Sequence, residues 1–189
     1  VELADLRTLF LRAKKLTGHS EFVVVGSLSA LGILRGRDVP ARMLMSNDVD
    51  CFTKTDPARI FELRAELGEG SAFEAENGFY LDPVSPTLPT LPDGWEKRLF
   101  RVPLEGGLVV HFLDPNDAAV SKYARGEARD REWARAGIGA SLLSIPVIEH
   151  RFRETVFFDA EEATRARAAL EEDKALAPGR TPKRNPKRR

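Results

Sequence analysis

The run Phe22-Val23-Val24-Val25, closed by Gly26, most narrows what this chain can become. Three β-branched residues after an aromatic one leave no polar face, so the segment reads as a strand covered on both sides. Such a strand needs structure layered above and below it. Ser27 to Leu34 then reads as a helix that starts where the strand ends. That junction aims backbone N–H groups and the Ser27 hydroxyl at an anion, and Gly26 lets phosphates approach the backbone.

Gly36 to Asn47 has little periodicity and is expected to be a loop. After it, Ser46-Asn47-Asp48-Val49-Asp50 leads into Cys51-Phe52, and Asp48 to Thr53 alternates as a second strand. Alternate strand residues share a face, so Asp48 and Asp50 present their carboxylates side by side. Two acids held that way repel unless a cation or a proton sits between them. Oxygen-rich pairs of this kind are what magnesium-dependent nucleotidyl or phosphoryl transfer requires, with one or two metal ions held by carboxylates. Asp82, expected to end a third strand, would complete the cage and help activate an acceptor hydroxyl.

The flanking elements follow from pattern. Leu3, Leu6, Leu9, Phe10, Ala13 and Leu16 recur at helical spacing. Asp56-Pro57 opens a helix with Asp as N-cap, its apolar side filled by Ile60, Phe61, Leu63 and Leu67. Phe73 to Asp82 reads as a strand interrupted near Asn77-Gly78, and the proline-rich stretch Pro83 to Gly94 either wraps the site or crosses the surface. Leu99 to Leu104 and Leu108 to Leu113 form a hairpin through Glu105-Gly106-Gly107. Helices are expected from Asp114-Pro115 to Arg125, on towards Ala136, from Pro146 to His150, and from an Asp159/Glu162 capping box to about Leu176. The fold class is α+β, a mixed sheet with a helical C-terminal part, divided as a core over 1–113, helices over 114–177 and a basic disordered tail over 178–189.

On the helix after the hairpin, Lys122, Arg125, Arg129 and Trp133 fall in one stripe opposite Val120, Tyr123, Ala124 and Ala134. The cations suit phosphate contact, and Asp130 stands ready to orient one of them. Plainer readings stand beside these: a Gly-Ser turn, a loop-end Asp-x-Asp and an ordinary charged surface helix. His19, His111 and His150 lack metal-ligand spacing, and Cys51 reads as a small buried residue.

The charges total 29 basic and 29 acidic, yet Arg180 to Arg189 holds six basic side chains and no acid. Removing those six leaves 23 basic against 29 acidic residues, an acidic body with a basic tail suited to a phosphate backbone or to plain solvation. One cysteine excludes an internal disulfide, no apolar run is long enough to span a bilayer, and no leader pattern is visible. A cytoplasmic protein without membrane contact is expected.

Val25-Gly26-Ser27 followed by Ser46-x-Asp48-x-Asp50 resembles the signature of the DNA polymerase β-like nucleotidyltransferase superfamily. Gly78 to Val84, then Leu91-Pro92-Asp93-Gly94-Trp95 with Arg98, then Asp117, Ser121-Lys122-x-Ala124-Arg125 and Arg129-Asp130-Arg131-Glu132 resemble a bacterial nucleotidyltransferase-like family related to the abortive-infection and toxin–antitoxin nucleotidyltransferases. The similarity runs from Phe22 to Ile138. It implies a nucleotidyltransferase fold, magnesium, a nucleoside triphosphate substrate, phosphate contact by Lys122 and support from Asp130. By the same analogy RNA, tRNA in particular, is the favoured acceptor and protein the second, with a cognate antitoxin or other partner protein. Leu44 and Ser46 stand where toxin relatives carry arginine and threonine, and Arg42 is displaced. The rival reading is a catalytically idle module of the same fold that recognises RNA or a partner, and a weaker one is a phosphohydrolase.

Overall fold

The computed structural model describes residues 1–33 and 38–175. Helix α1 (Leu3–Thr17) buries Leu6, Leu9, Phe10 and Ala13, the face its spacing predicts. Strand β1 (Glu21–Val24) follows, and then Ser27–Ile33, which winds as a 3-10 helix rather than an α-helix. Two serines and a glycine are weak helix formers, and Ser29 Oγ donates to the Gly26 carbonyl at 2.8 Å, which favours the tighter turn. Leu34 lies outside the described residues. The stretch expected as loop contains one helical turn, α2 (Ala41–Leu44), wound around buried Met43.

Strand β2 (Asp48–Thr53) has the expected bounds. The helix expected from Asp56-Pro57 is 3-10 over Pro57–Leu63 and α only over α3 (Arg64–Leu67). Asp56 caps nothing with its side chain: it sits at φ 55°, and its carbonyl accepts from Thr53 Oγ1 at 2.6 Å. Ile60, Leu63 and Leu67 are buried as expected, but Phe61 is exposed. The first half of the strand expected from Phe73 is helix α4 (Ala72–Asn77), because Ser71 Oγ accepts from Glu74 N and Gly78 ends the turn. Strand β3 (Tyr80–Pro83) takes the second half.

The hairpin forms from β4 (Phe100–Leu104) and β5 (Leu108–Phe112). Four helices complete the described residues: α5 (Pro115–Arg125), α6 (Ala128–Gly139), α7 (Ile145–Arg153) and α8 (Ala160–Lys174). Asp114 and Asp159 cap α5 and α8, while the Glu162 carboxylate accepts from Phe158 N instead of returning to Asp159. The tail over 178–189 and the residues around Leu176 lie outside the described residues. Among the described residues no helix is long and apolar enough to cross a membrane.

The sheet runs β3-β2-β1-β5-β4, with β1/β5 and β2/β3 parallel and β1/β2 and β4/β5 antiparallel. The fold is thus α+β around a mixed sheet with a helical C-terminal part. Phe22 pairs with Thr53 and Val24 with Cys51, so those four residues share one face. On that face the Phe22 ring stacks on Phe10 of α1, centroids 4.4 Å apart. Asp48 and Asp50 alternate onto the other face, away from α1.

The C-terminal helices close on a buried acid. Asp173 of α8, 1% exposed, accepts from Tyr123 Oη of α5 at 3.1 Å and from Arg131 Nη2 and Arg135 Nε of α6 at 2.6 and 2.7 Å. Burial, then the Asp173 charge, pushes the Tyr123 phenol well above its usual range. Removing the carboxylate takes a buried charged acceptor from three donors, of which Tyr123 Oη is itself buried, whereas removing the exposed Asp159 cap takes an acceptor from one. Asp173→Ala is therefore expected to cost about 3 kcal/mol in urea unfolding, against about 1 kcal/mol for Asp159→Ala.

Candidate active site

Parallel pairing of β2 with β3 sets Asp48 opposite Tyr80 and Asp50 opposite Asp82, so all four side chains share the face away from α1. Ligand oxygens of Asp48, Asp50 and Asp82 lie within 4.8 Å of one another. Each residue is partly buried, and the intervening Val49 and Leu81 are fully so. Ser46 Oγ donates to Asp48 Oδ1 and fixes that carboxylate.

Gly26 has a second job beside the one its position suggests. It stands at φ 63°, and a Cβ added there would overlap the Asp50 carboxylate. Asp50 thus packs directly on the turn, and any side chain at Gly26 would displace it. Burial, then the charges of Asp48 and Asp82, push the Asp50 carboxyl up to about 7, although Lys122 and Arg125 oppose the rise. Burial and the Asp48 charge likewise raise Asp82.

The cations do not form the solvated stripe of a single helix. Gly126 ends α5, and α6 folds back against it. Lys122 is consequently buried, 4% exposed, donating to Ser27 Oγ and to Asp130 Oδ1, each at 3.0 Å. Burial lowers the Lys122 ammonium from its usual range, though Asp130 works the other way. Asp130, itself buried, also accepts from Arg125 Nε and Nη2 at 2.7 and 2.6 Å. Burial alone would raise Asp130, but the Arg125 hydrogen bonds and the Lys122 charge outweigh it and hold the carboxyl low. Arg129 is exposed and pairs with Glu127. Trp133, placed in the stripe by spacing, is buried instead; its Nε1 donates to the carbonyls of Ser27 and Met43 and so pins the Gly26-Ser27 turn to α2.

Two neighbouring depressions have Asp50, Lys122 and Arg125 in common in their walls. The smaller, about 100 Å³, is polar and is bordered by Ser27, Ser46, Asp48, Arg129 and Asp130. The larger, about 370 Å³, has apolar walls from Val25, Val84, Leu88, Leu113 and Ala118. Asp82 belongs to the acid cluster but to the lining of neither lobe, whereas Gly26 lines the larger lobe. Of the two readings of the proline-rich stretch, the one that wraps the site holds, because Leu88, Pro89 and Thr90 form part of the wall.

Several contributors lie outside the expected site residues. Arg42, bonded to Glu132, borders the polar lobe from the one-turn helix. Thr90, Ser121 and Glu162 supply the larger lobe's further polar groups from three separate segments. Asp117 is fully buried and accepts from Arg98 Nε at 2.7 Å, with Arg151 Nε 3.1 Å away. Arg98 in turn donates to the Asp93 carbonyl, tying the proline-rich wall to α5.

Three crowded carboxylates, hard oxygen donors with too few cations to balance them, fit a divalent ion such as magnesium. The raised Asp50 carboxyl makes this testable without any assay of turnover. Its ordinary value is 3.8 and its folded value about 7, so the folded state holds the extra proton between the two. Stability is then full below that window and lost as pH rises through it. The metal-free protein is expected to melt on the order of 5 °C lower at about pH 8 than at about pH 5, with Asp50→Asn flattening the difference and magnesium restoring the loss at the higher pH. Differential scanning calorimetry checks each arm.

The family model described as "Nucleotidyltransferase of unknown function (DUF6036)" matches residues 4–175. No curated protein and no solved structure matches the chain. The matched span takes in the carboxylate cluster, the Gly26-Ser27 turn and the Lys122–Asp130 pair together: this chain belongs to the DUF6036 family of nucleotidyltransferases of unknown function.

Proposed function

We propose that this chain moves a nucleoside monophosphate from a nucleoside triphosphate to an acceptor hydroxyl, and that it is a relative of the DNA polymerase β-like enzymes. The observation that carries the reading is the gathering of Asp48, Asp50 and Asp82 within 4.8 Å beside a strand-to-helix turn backed by a buried lysine. Asp48, Asp50 and Asp82 would hold magnesium, which when bound screens phosphate charge and polarises the reacting phosphate.

The remaining roles fall to this chain's own side chains. Ser27 offers its hydroxyl and the turn its N–H groups to the triphosphate. Lys122, already hydrogen-bonded to Ser27, adds a fixed positive charge at the same spot, and Asp130 keeps its ammonium from swinging away. Arg125 and Arg129, both exposed, reach the outer phosphates from the rim of the polar lobe. Asp82, opposite Asp50 on β3, helps activate the incoming hydroxyl by accepting its proton. The acceptor oxygen then bonds to the α-phosphorus as the bond to pyrophosphate breaks.

RNA, with tRNA foremost, is the proposed acceptor and protein the second. The six basic residues from Arg180 to Arg189 support a polyanionic partner, and the resemblance to toxin–antitoxin and defence nucleotidyltransferases supports a cognate protein partner. The test incubates the full chain with each α-labelled nucleoside triphosphate, magnesium, and RNA or protein. Label is expected on the acceptor, falling by roughly 100-fold or more in Asp48→Ala and Asp50→Ala. Magnesium-dependent thermal stabilisation by the triphosphates without any transfer would instead mark a binding module, and neither binding nor transfer would overturn the reading.

A further inference from the structure

The larger lobe holds more than an apolar wall. Beside Asp50, Lys122 and Arg125, its lining places three further polar side chains, Thr90, Ser121 and Glu162, among Val84, Leu88, Pro89, Leu113 and Ala118. At about 370 Å³ it has the size of a small-ligand pocket. It opens onto Asp50, Lys122 and Arg125, the residues it shares with the polar lobe. A molecule lying across both lobes would put phosphates beside Ser27 and Lys122 and an apolar ring system against the larger lobe's walls.

Glu162 is the carboxylate of that lobe outside the acid cluster, and a carboxylate discriminates among ring edges because it only accepts, whereas the Thr90 and Ser121 hydroxyls can donate or accept. It is half-buried at the first turn of α8, and two contacts set its orientation: Oε2 accepts from Phe158 N at 2.6 Å, and Oε1 accepts from Thr90 Oγ1 at 3.5 Å. Each carboxylate oxygen has capacity for a further donor. An ionised carboxylate gives no donor in return, so it rewards a ring edge carrying two adjacent N–H groups. Guanine offers such an edge through N1–H and the N2 amine. Adenine and cytosine place a bare ring nitrogen beside their amine, and that lone pair faces the carboxylate unfavourably. Uracil offers a single N–H between two carbonyls.

We infer that the lobe between the proline-rich wall and α8 is a nucleobase site selective for guanine, with Glu162 as the specificity-determining residue. The inference rests on the nucleotidyl-transfer reading for the location of the phosphates, and it adds the identity of the nucleotide. Thr90 positions Glu162 from the wall, while Asp117, through Arg98 and the Asp93 carbonyl, holds the wall in place.

Isothermal titration of the full chain with magnesium and each of GTP, ITP, ATP, CTP and UTP tests it. GTP is expected to bind roughly 10-fold or more tightly than ATP, CTP and UTP, with ITP, which keeps N1–H and lacks the amine, in between. Glu162→Gln keeps an acceptor for Phe158 N but swaps one charged oxygen for a donor, and it should bring GTP down to the level of the other triphosphates. A circular dichroism melt of the variant reads its folding, and the ITP comparison on the unaltered chain stands without any variant. Equal binding of all five, or a GTP preference that survives Glu162→Gln, overturns the guanine site while leaving nucleotide binding intact. No binding of any triphosphate overturns both readings.

Discussion

Electrostatic repulsion among Asp48, Asp50 and Asp82 is the constraint around which the molecule is arranged. The parallel register of β2 and β3 forces it, since it puts Asp50 opposite Asp82 with Asp48 one step along on the same face. Hydrophobic burial of Val49, Cys51 and Leu81 on the reverse side holds that register, because a slip by one residue would send the acids into the core and the apolar residues out. The sheet's packing against α1 therefore maintains a concentration of charge that the local chemistry resists.

The compensation comes from a separate part of the chain. Lys122 and Arg125 moderate the charge on Asp50, and both are held by Asp130 across the α5–α6 break. Asp130 is thus a counterweight: it competes with the acid cluster for the cations, yet without it a buried ammonium would stand unpaired at a cost of several kcal/mol. Trp133 adds a cation–π contact, its ring centroid 4.9 Å from Lys122 Nζ, and the same indole anchors the turn that carries Ser27.

Much of this was legible in the residues, and what was hidden follows a physical pattern. The strands Phe22–Val25 and Asp48–Thr53, the hairpin and the capped helices α5 and α8 were readable because apolar periodicity and cap chemistry agreed. Segments whose local turn and cap geometry decides the outcome differ from the pattern reading. Ser27–Ile33 and Pro57–Leu63 wind as 3-10 helices, and Phe73 belongs to a helix because the Ser71 cap outweighs its aromatic β preference. In the site, Asp48 and Asp50 were visible as a period-two pair. The inward aim of Lys122 was not, since it depends on α6 folding back at Gly126, and neither was the contribution of Arg42, Thr90 or Glu162, each delivered by tertiary packing alone.

The partition formed by Asp50, Lys122 and Arg125 has a consequence for molecular length. Because these residues border both lobes, a ligand confined to one side engages them from that side only. On the proposed reading a free nucleoside would meet the apolar walls without using the cations, which Asp130 already pairs, and inorganic phosphate or pyrophosphate would do the reverse. On that reading the site would act as a ruler as well as a mould, grading molecules by whether an anionic chain and a planar ring are separated by the width of the partition.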